Sequence, residues 1–415
     1  MEHRPARARG ATRGDRRARG RGLWERISDD EAEPGRVSTL ELFFDLVFVF
    51  TVTQLTATLA HDPTLRGLGR VSLMLGIIWW MYGGYAWLTN AVDLGGPTRR
   101  ALLLGGMAAY LVLALAVPHA FGADGDGAAF GLAYLLIVLI HAGLLTRASG
   151  RGAKGILRIA PLNVLAALLV VAGGFAGGVV QYVLWVLAFA LQWTTPYLVP
   201  PVAFFEIEPA HFVERHGLVV IVAIGESVVA VGIGASGLPV DLALIGVTVL
   251  GLALTACLWW TYFGGDDARA EEALRAAPDR PALALSAFGH WHIPLLLGVI
   301  GVAFGLERAL AHAYVPGATA PALGLAAGTS LFLLAHLRFR AVLGFGGAPW
   351  RAGAALAGLA TIPLGTAVAP AAQTAALVVL VAGAFVAERY GILEGDGPRG
   401  RAGGDRRGAP GPARP

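Results

Sequence analysis

The chain has 415 residues, of which 56% are apolar and only 14% charged, with a mean hydropathy of +0.63. That balance excludes a set of soluble domains and describes a polytopic membrane protein. The single cysteine, Cys257, excludes an intramolecular disulfide and a thiolate metal cluster; the formal charge of +4 is placed very unevenly along the chain.

Residues 1–36 are rich in Arg, Gly, Ala and acids and hold little to bury, which predicts a disordered basic arm rather than a domain. No apolar stretch follows its arginines before Val37, so no signal-peptide core is expected. Such an arm can contact anionic lipid or nucleic acid, or be a solvated tail that helps to fix orientation. We favour the tail and expect no nucleic-acid partner.

Twelve apolar segments of spanning length follow, at roughly 38–60, 70–90, 101–118, 128–147, 157–174, 179–199, 216–235, 241–262, 288–310, 321–340, 351–368 and 371–388. The fifth and sixth are parted only by Gly173, Gly174, Gly177 and Gly178, and the last two only at Pro370. Loop charge tests this count, because Lys and Arg collect on the cytoplasmic side. With both termini inside, the inner segments hold all but Arg66, Arg70 and Arg308 of the 32 basic residues. The acidic and basic connection at 264–280 reads as a short amphipathic or solvated cytoplasmic loop, and residues 391–415, rich in Gly, Pro and Arg, as a disordered cytoplasmic tail. The expected location is the plasma membrane.

The segments also repeat. ELFFDLVFVFTVTQLT from Glu41 lies ungapped against ERHGLVVIVAIGESVV from Glu214, with Thr53 opposite Glu226. Trp79, Trp80 and Tyr82 match Trp259, Trp260 and Tyr262, and His141 matches His336 near the basic ends of segments four and ten. The expected fold is therefore all-α, with two six-helix repeats, at 37–200 and 210–390, in the same orientation and joined near Pro200–Ala210.

Ionisable residues inside apolar segments mark functional candidates, because a charge in hydrocarbon is costly unless protein or water receives it. Glu41 and Asp45 are four residues apart and share a helical face. Asp45 falls about 8 Å into its segment, and Glu226 about 15 Å into the seventh, near the middle of a slab about 30 Å thick. Gly225 and Ser227 flank Glu226 with small side chains that would admit another helix or water. His141 and His336 lie at a depth similar to Asp45. Together Asp45, Glu226, His141 and His336 could form one polar interior that relays protons or holds a cation; each histidine could equally be a neutral ring satisfied by a single hydrogen bond.

Other chemistries lack their signatures. There is no HExxH, no Gly-x-Ser-x-Gly and no Walker A sequence, and His290 and His292 would point about 200° apart on a helix. We expect neither an enzyme nor a cofactor, and no resident metal. The tryptophan pairs could line a substrate path, but packing and interfacial anchoring are the plainer readings.

ELFFDLVFVFTVTQL at 41–55, ERHGLVVIVAIGESVV at 214–229, the Trp-Trp-x-Tyr pairs and HIPLLLGVIGVAFGLE at 292–307 resemble the bacterial low temperature requirement A (LtrA) family, over about Val37–Tyr390. Matching motif positions are Glu41, Phe44, Asp45, Gln54, Glu214, Arg215, Gly217, Gly225, Glu226 and Ser227. The resemblance implies a bacterial membrane protein connected with growth in the cold, with no settled molecular activity. Phe43-Phe44-Asp45 is also similar to the Phe-Ser-Asp motif of the lysosomal and bacterial potassium channel family, from which the second half departs with Leu218 at the aspartate's place. The resulting expectation is an ion- or proton-coupled transporter working on a small ion or solute. The alternatives are a cation channel and a non-transporting scaffold or envelope protein. If arginines such as Arg215 satisfy the acids, the site reduces to structural ion pairs.

Overall fold

The computed structural model describes residues 37–91, 96–122, 126–146, 151–199 and 207–390, with no strand among them. The arm expected at 1–36, the tail at 391–415 and most of the joint near Pro200–Ala210 lie outside the described residues. Eight long helices come first: α1 (Thr39–His61), α2 (Leu65–Ala91), α3 (Pro97–Ala116), α4 (Asp126–Thr146), α5 (Arg151–Ala176), α6 (Gly178–Leu198), α7 (Pro209–Ala235) and α8 (Leu242–Phe263). A short α9 (Asp266–Ala276) and a single turn, α10 (Arg280–Ala284), lead through a π-helical stretch at Leu285–His290 into α11 (His292–Ala309). Then come α12 (Thr319–Val342), α13 (Pro349–Leu359) and α14 (Pro370–Arg389). Among the described residues twelve stretches are long and apolar enough to cross a bilayer; α10 and α11 together make the ninth, and α13 with the π turn at Leu364–Val368 makes the eleventh.

The breaks fall where the backbone requires them. Gly177 and Gly178 adopt φ of +65° and +55°, which L side chains resist, and so turn the chain between α5 and α6. Ala369 is extended, and Pro370 opens α14 at a position that needs no backbone donor. Gly173 and Gly174 instead lie within α5, and a Cβ on Gly174 would stand 2.0 Å from the Gly127 carbonyl oxygen of α4. Small residues there let two backbones touch, as they do between spanning helices that have no hydrophobic drive to associate.

Three expectations change. The seventh helix begins at Pro209, so Glu214 and Arg215 lie within it. The connection at 264–280 is largely the ordered helix α9, which buries Asp266, Ala270 and Leu274. Around Gly225 nothing stands within 4 Å of an added Cβ, so that glycine admits no neighbouring helix of this chain.

Within the bundle α1 packs on α2 and α3, α3 on α4, α4 on α5, α5 on α6, and α2 closes back on α6. The same order recurs six spans later: α7 packs on α8 and α11, α11 on α12, α12 on α13, α13 on α14, and α8 closes back on α14. The two sets meet where α1 and α2 lie against α7 and α11. Large apolar side chains such as Leu111, Leu115, Val183, Val249 and Leu252 face outward, whereas Asp45, Arg215, His292 and His336 are fully enclosed. Apolar outside and polar inside is the pattern a bilayer selects.

Candidate functional site

Two pairs of residues at i, i+4 spacing build an enclosed polar cluster. Glu41 and Asp45 project from α1, His211 and Arg215 from α7, and α2 adds Tyr82 and Thr89. The start of α1 is fixed by a capping box in which Glu41 N donates to Ser38 Oγ (3.3 Å) and Ser38 N donates to Glu41 Oε2 (2.9 Å). Glu41 thus serves the cap with the same oxygen that faces His211 Nε2 at 3.2 Å, while its Oε1 accepts from Arg215 Nη1 at 2.7 Å. Asp45 Oδ1 accepts from Tyr82 at 3.1 Å and from Arg215 Nη2 at 3.4 Å. Arg215 also donates to Thr89 Oγ1, and its guanidinium stands 5.5 Å from the Phe44 ring centre.

The cluster sets two carboxylates against one arginine and one imidazole. Asn90 uses Oδ1 to accept from Glu208 N and so presents its amide N–H to His211 Nδ1 at 3.1 Å. The other ring nitrogen of His211 then donates to Glu41 Oε2. Both carboxylates face the same arginine. Asp45 Oδ2 and Arg215 Nε are enclosed without a hydrogen-bond partner among the described residues. Such a set holds its surplus negative charge only by taking up a proton or a cation, since an isolated buried charge is costly.

The other candidates stand elsewhere. Thr53 of α1 donates to Glu226 Oε2 at 2.6 Å, about 12 Å along α1 from Asp45 and about 6 Å past the midpoint of α7. Ser227 is buried with no partner for its hydroxyl among the described residues, Gln54 is half-buried, and Glu214 accepts from Val37 N at 3.3 Å at the surface. His141 reaches only the Gly84 carbonyl, at 3.0 Å, and packs on Tyr85, with ring centres 5.2 Å apart. His336 accepts from Arg351 Nη1 at 3.1 Å and turns Nε2 toward Asp266 at 3.6 Å. No hydrogen bond or ion pair joins any two of Asp45, Glu226, His141 and His336, so the expected single interior is replaced by separate places.

Between the Arg215 cluster and His336 lies a belt of rings whose members the sequence marked only as repeat or motif residues, not as neighbours. Tyr82 stacks on Trp79, Trp79 on His292, and His216 lies against both Tyr82 and His292. His292 donates from Nδ1 to the Ala287 carbonyl (3.1 Å) and accepts from Tyr262 at 2.9 Å. The belt joins the two sets of spans, since Trp79 comes from α2, His216 from α7, Tyr262 from α8 and His292 from α11. Of the tryptophan pairs, Trp79 is enclosed and donates to the Gly289 carbonyl, Trp80 donates to Asn163, and Trp259 and Trp260 face outward. The pairs thus anchor and pack.

Twelve spanning stretches, an apolar exterior and a charged, ring-lined centre define a multi-pass membrane protein whose polar residues lie between its helices. The chain belongs to the bacterial low temperature requirement A protein (LtrA) family, whose model matches residues 36–386. It is similar to an uncharacterized protein of Rhizobium meliloti (strain 1021), at 29% identity over 325 residues, covering 74% of this chain and 78% of the relative. No solved structure matches.

Proposed function

We propose that the protein is a proton- or cation-coupled transporter of the bacterial inner membrane, built of two six-helix halves, with both termini cytoplasmic and no enzymatic activity. The observation that carries this reading is the surplus carboxylate of the Glu41–Asp45–Arg215 cluster, enclosed where α1 and α2 of one half meet α7 of the other. Uptake of a proton or cation at Asp45 would compete with its contact to Arg215 and so favour a different seating of α1 against α7. Glu226, held by Thr53 deeper along the same pair of helices, would be the second acid of the path.

A structural reading has its own support: Arg215 already touches both acids, and Tyr82, Trp79 and the histidines fill the space beside them. Flux measurements in proteoliposomes separate the two. With purified protein, Na⁺, K⁺ and H⁺ gradients should drive flux that falls at least tenfold in Asp45→Asn and in Glu226→Gln, both still folded by gel filtration. Undiminished flux in both variants would remove the acids from the path. Conduction without coupling to a second gradient would make the protein a channel, and silence toward ions and solutes alike would leave the scaffold role.

A further inference from the structure

A second polar site lies at the ends of α8, α12, α13 and α14, where a cavity of about 430 Å³ opens beside Asp266. Gly265, at φ +107°, turns the chain out of α8 and sets Asp266 at the start of α9, 4% exposed. Asp266 takes both oxygens to Arg340 Nη1, one of them at 2.6 Å, and stands 3.4 Å from Arg351 Nη1. Arg351 Nε donates to Glu388 Oε2 at 2.8 Å.

Four arginines line this cavity, Arg269, Arg340, Arg351 and Arg389, against two acids, Asp266 and Glu388. Arg340 and Arg351 are 8% and 6% exposed, and Arg340 Nε is enclosed without a hydrogen-bond partner among the described residues. Burying a guanidinium with donors unused is costly, so a built site of this kind calls for an acceptor. The surplus of two positive charges matches a phosphate ester, which the planar fork of arginine binds bidentately. The first turn of α13, opening at Pro349 on the same cavity, adds N–H groups that favour an anion. Beside the mouth, Phe385 lines the cavity and packs on Trp260, which is 53% exposed on the outer, apolar side.

We infer that this arginine cavity binds a phosphate group, carried by an anionic phospholipid whose chains lie along Trp260 or by a free phosphate-bearing solute. Basic pockets between spanning helices suit such headgroups. This inference does not rest on the proposed transport.

The test uses the full chain in neutral detergent and follows thermal unfolding with added short-chain phosphatidylglycerol, inorganic phosphate or phosphatidylcholine. Phosphatidylglycerol should stabilise the protein in a saturable way and phosphatidylcholine should not. Arg269→Gln/Arg389→Gln, which removes two exposed charges, should weaken the effect about tenfold or more. Arg340→Lys keeps the charge near Asp266 but loses the fork, and should weaken it while the unliganded protein stays folded. Stabilisation by phosphatidylglycerol alone identifies a lipid site, and equal stabilisation by inorganic phosphate identifies a solute site. Stabilisation no greater than that from phosphatidylcholine, or undiminished in the arginine variants, overturns the inference.

Discussion

Removing the guanidinium of Arg215 would leave Glu41 and Asp45 enclosed on one face of α1 with no cation between them. A buried pair that loses one partner typically costs about 3–5 kcal/mol, whereas neutralising the whole set costs much less. Arg215→Met should therefore lower the thermal unfolding midpoint sharply, and the triple change Glu41→Gln/Asp45→Asn/Arg215→Met should recover most of the loss. Gel filtration of heated samples reads both. If Arg215→Met is as stable as the parent, the three groups do not form one electrostatic unit. The triple variant also separates roles: a protein that folds but moves no ions retains the scaffold and has lost the site. Arg215 was legible as a motif residue and as one arginine that could satisfy the acids, but its depth was not, because only the extension of α7 back to Pro209 carries it into the bundle.

Among helix pairs, α11 and α12 approach through glycines. A Cβ on Gly328 would stand 2.6 Å from Val302 N and 2.8 Å from the Gly298 carbonyl oxygen, and one on Gly298 would stand 2.7 Å from Phe332 N. These are backbone atoms, which cannot step aside as a side chain can. Gly328→Val should separate the helices and destabilise the protein by about 1–3 kcal/mol or more. Gly225→Ala, in open space within α7, should instead be neutral or stabilising by up to about 1 kcal/mol, since alanine is the better helix former. Unfolding in a denaturing detergent series checks both signs. An equal response at the two positions would show that backbone approach does not set the α11–α12 contact.

The whole molecule repeats its order of neighbours after six spans, and its ends differ in charge. Arg70 pairs with Asp62 and Arg308 donates to the Ala60 carbonyl at one end, while Arg269, Arg340 and Arg351 gather round Asp266 at the other. By the excess of basic residues, the Asp266 end should be cytoplasmic. In a Cys257→Ser background, a membrane-impermeant maleimide should label Arg66→Cys on intact cells and Glu272→Cys only after the cells are opened; both positions are exposed. The reverse pattern would invert the protein and place the arginine cavity on the outer face.

The spans could be read from the chain alone because hydrocarbon imposes one rule on every exposed side chain, so apolar runs of about 20 residues appear wherever a helix crosses. Family membership was legible in the motifs at 41–55, 214–229 and 292–307, and Glu41 and Asp45 stood out as candidates because charged residues in apolar runs have few permitted places. What tertiary structure decided was partnership. Asp45 and Arg215 meet across 170 positions of sequence, Asp266 was read as part of a solvated loop, and His292 and Tyr262 join a belt whose members lie on four helices. No local periodicity encodes which buried acid faces which buried base, because that depends on how helices distant in sequence pack, and apolar surfaces in lipid give no drive that prefers one helix pair over another.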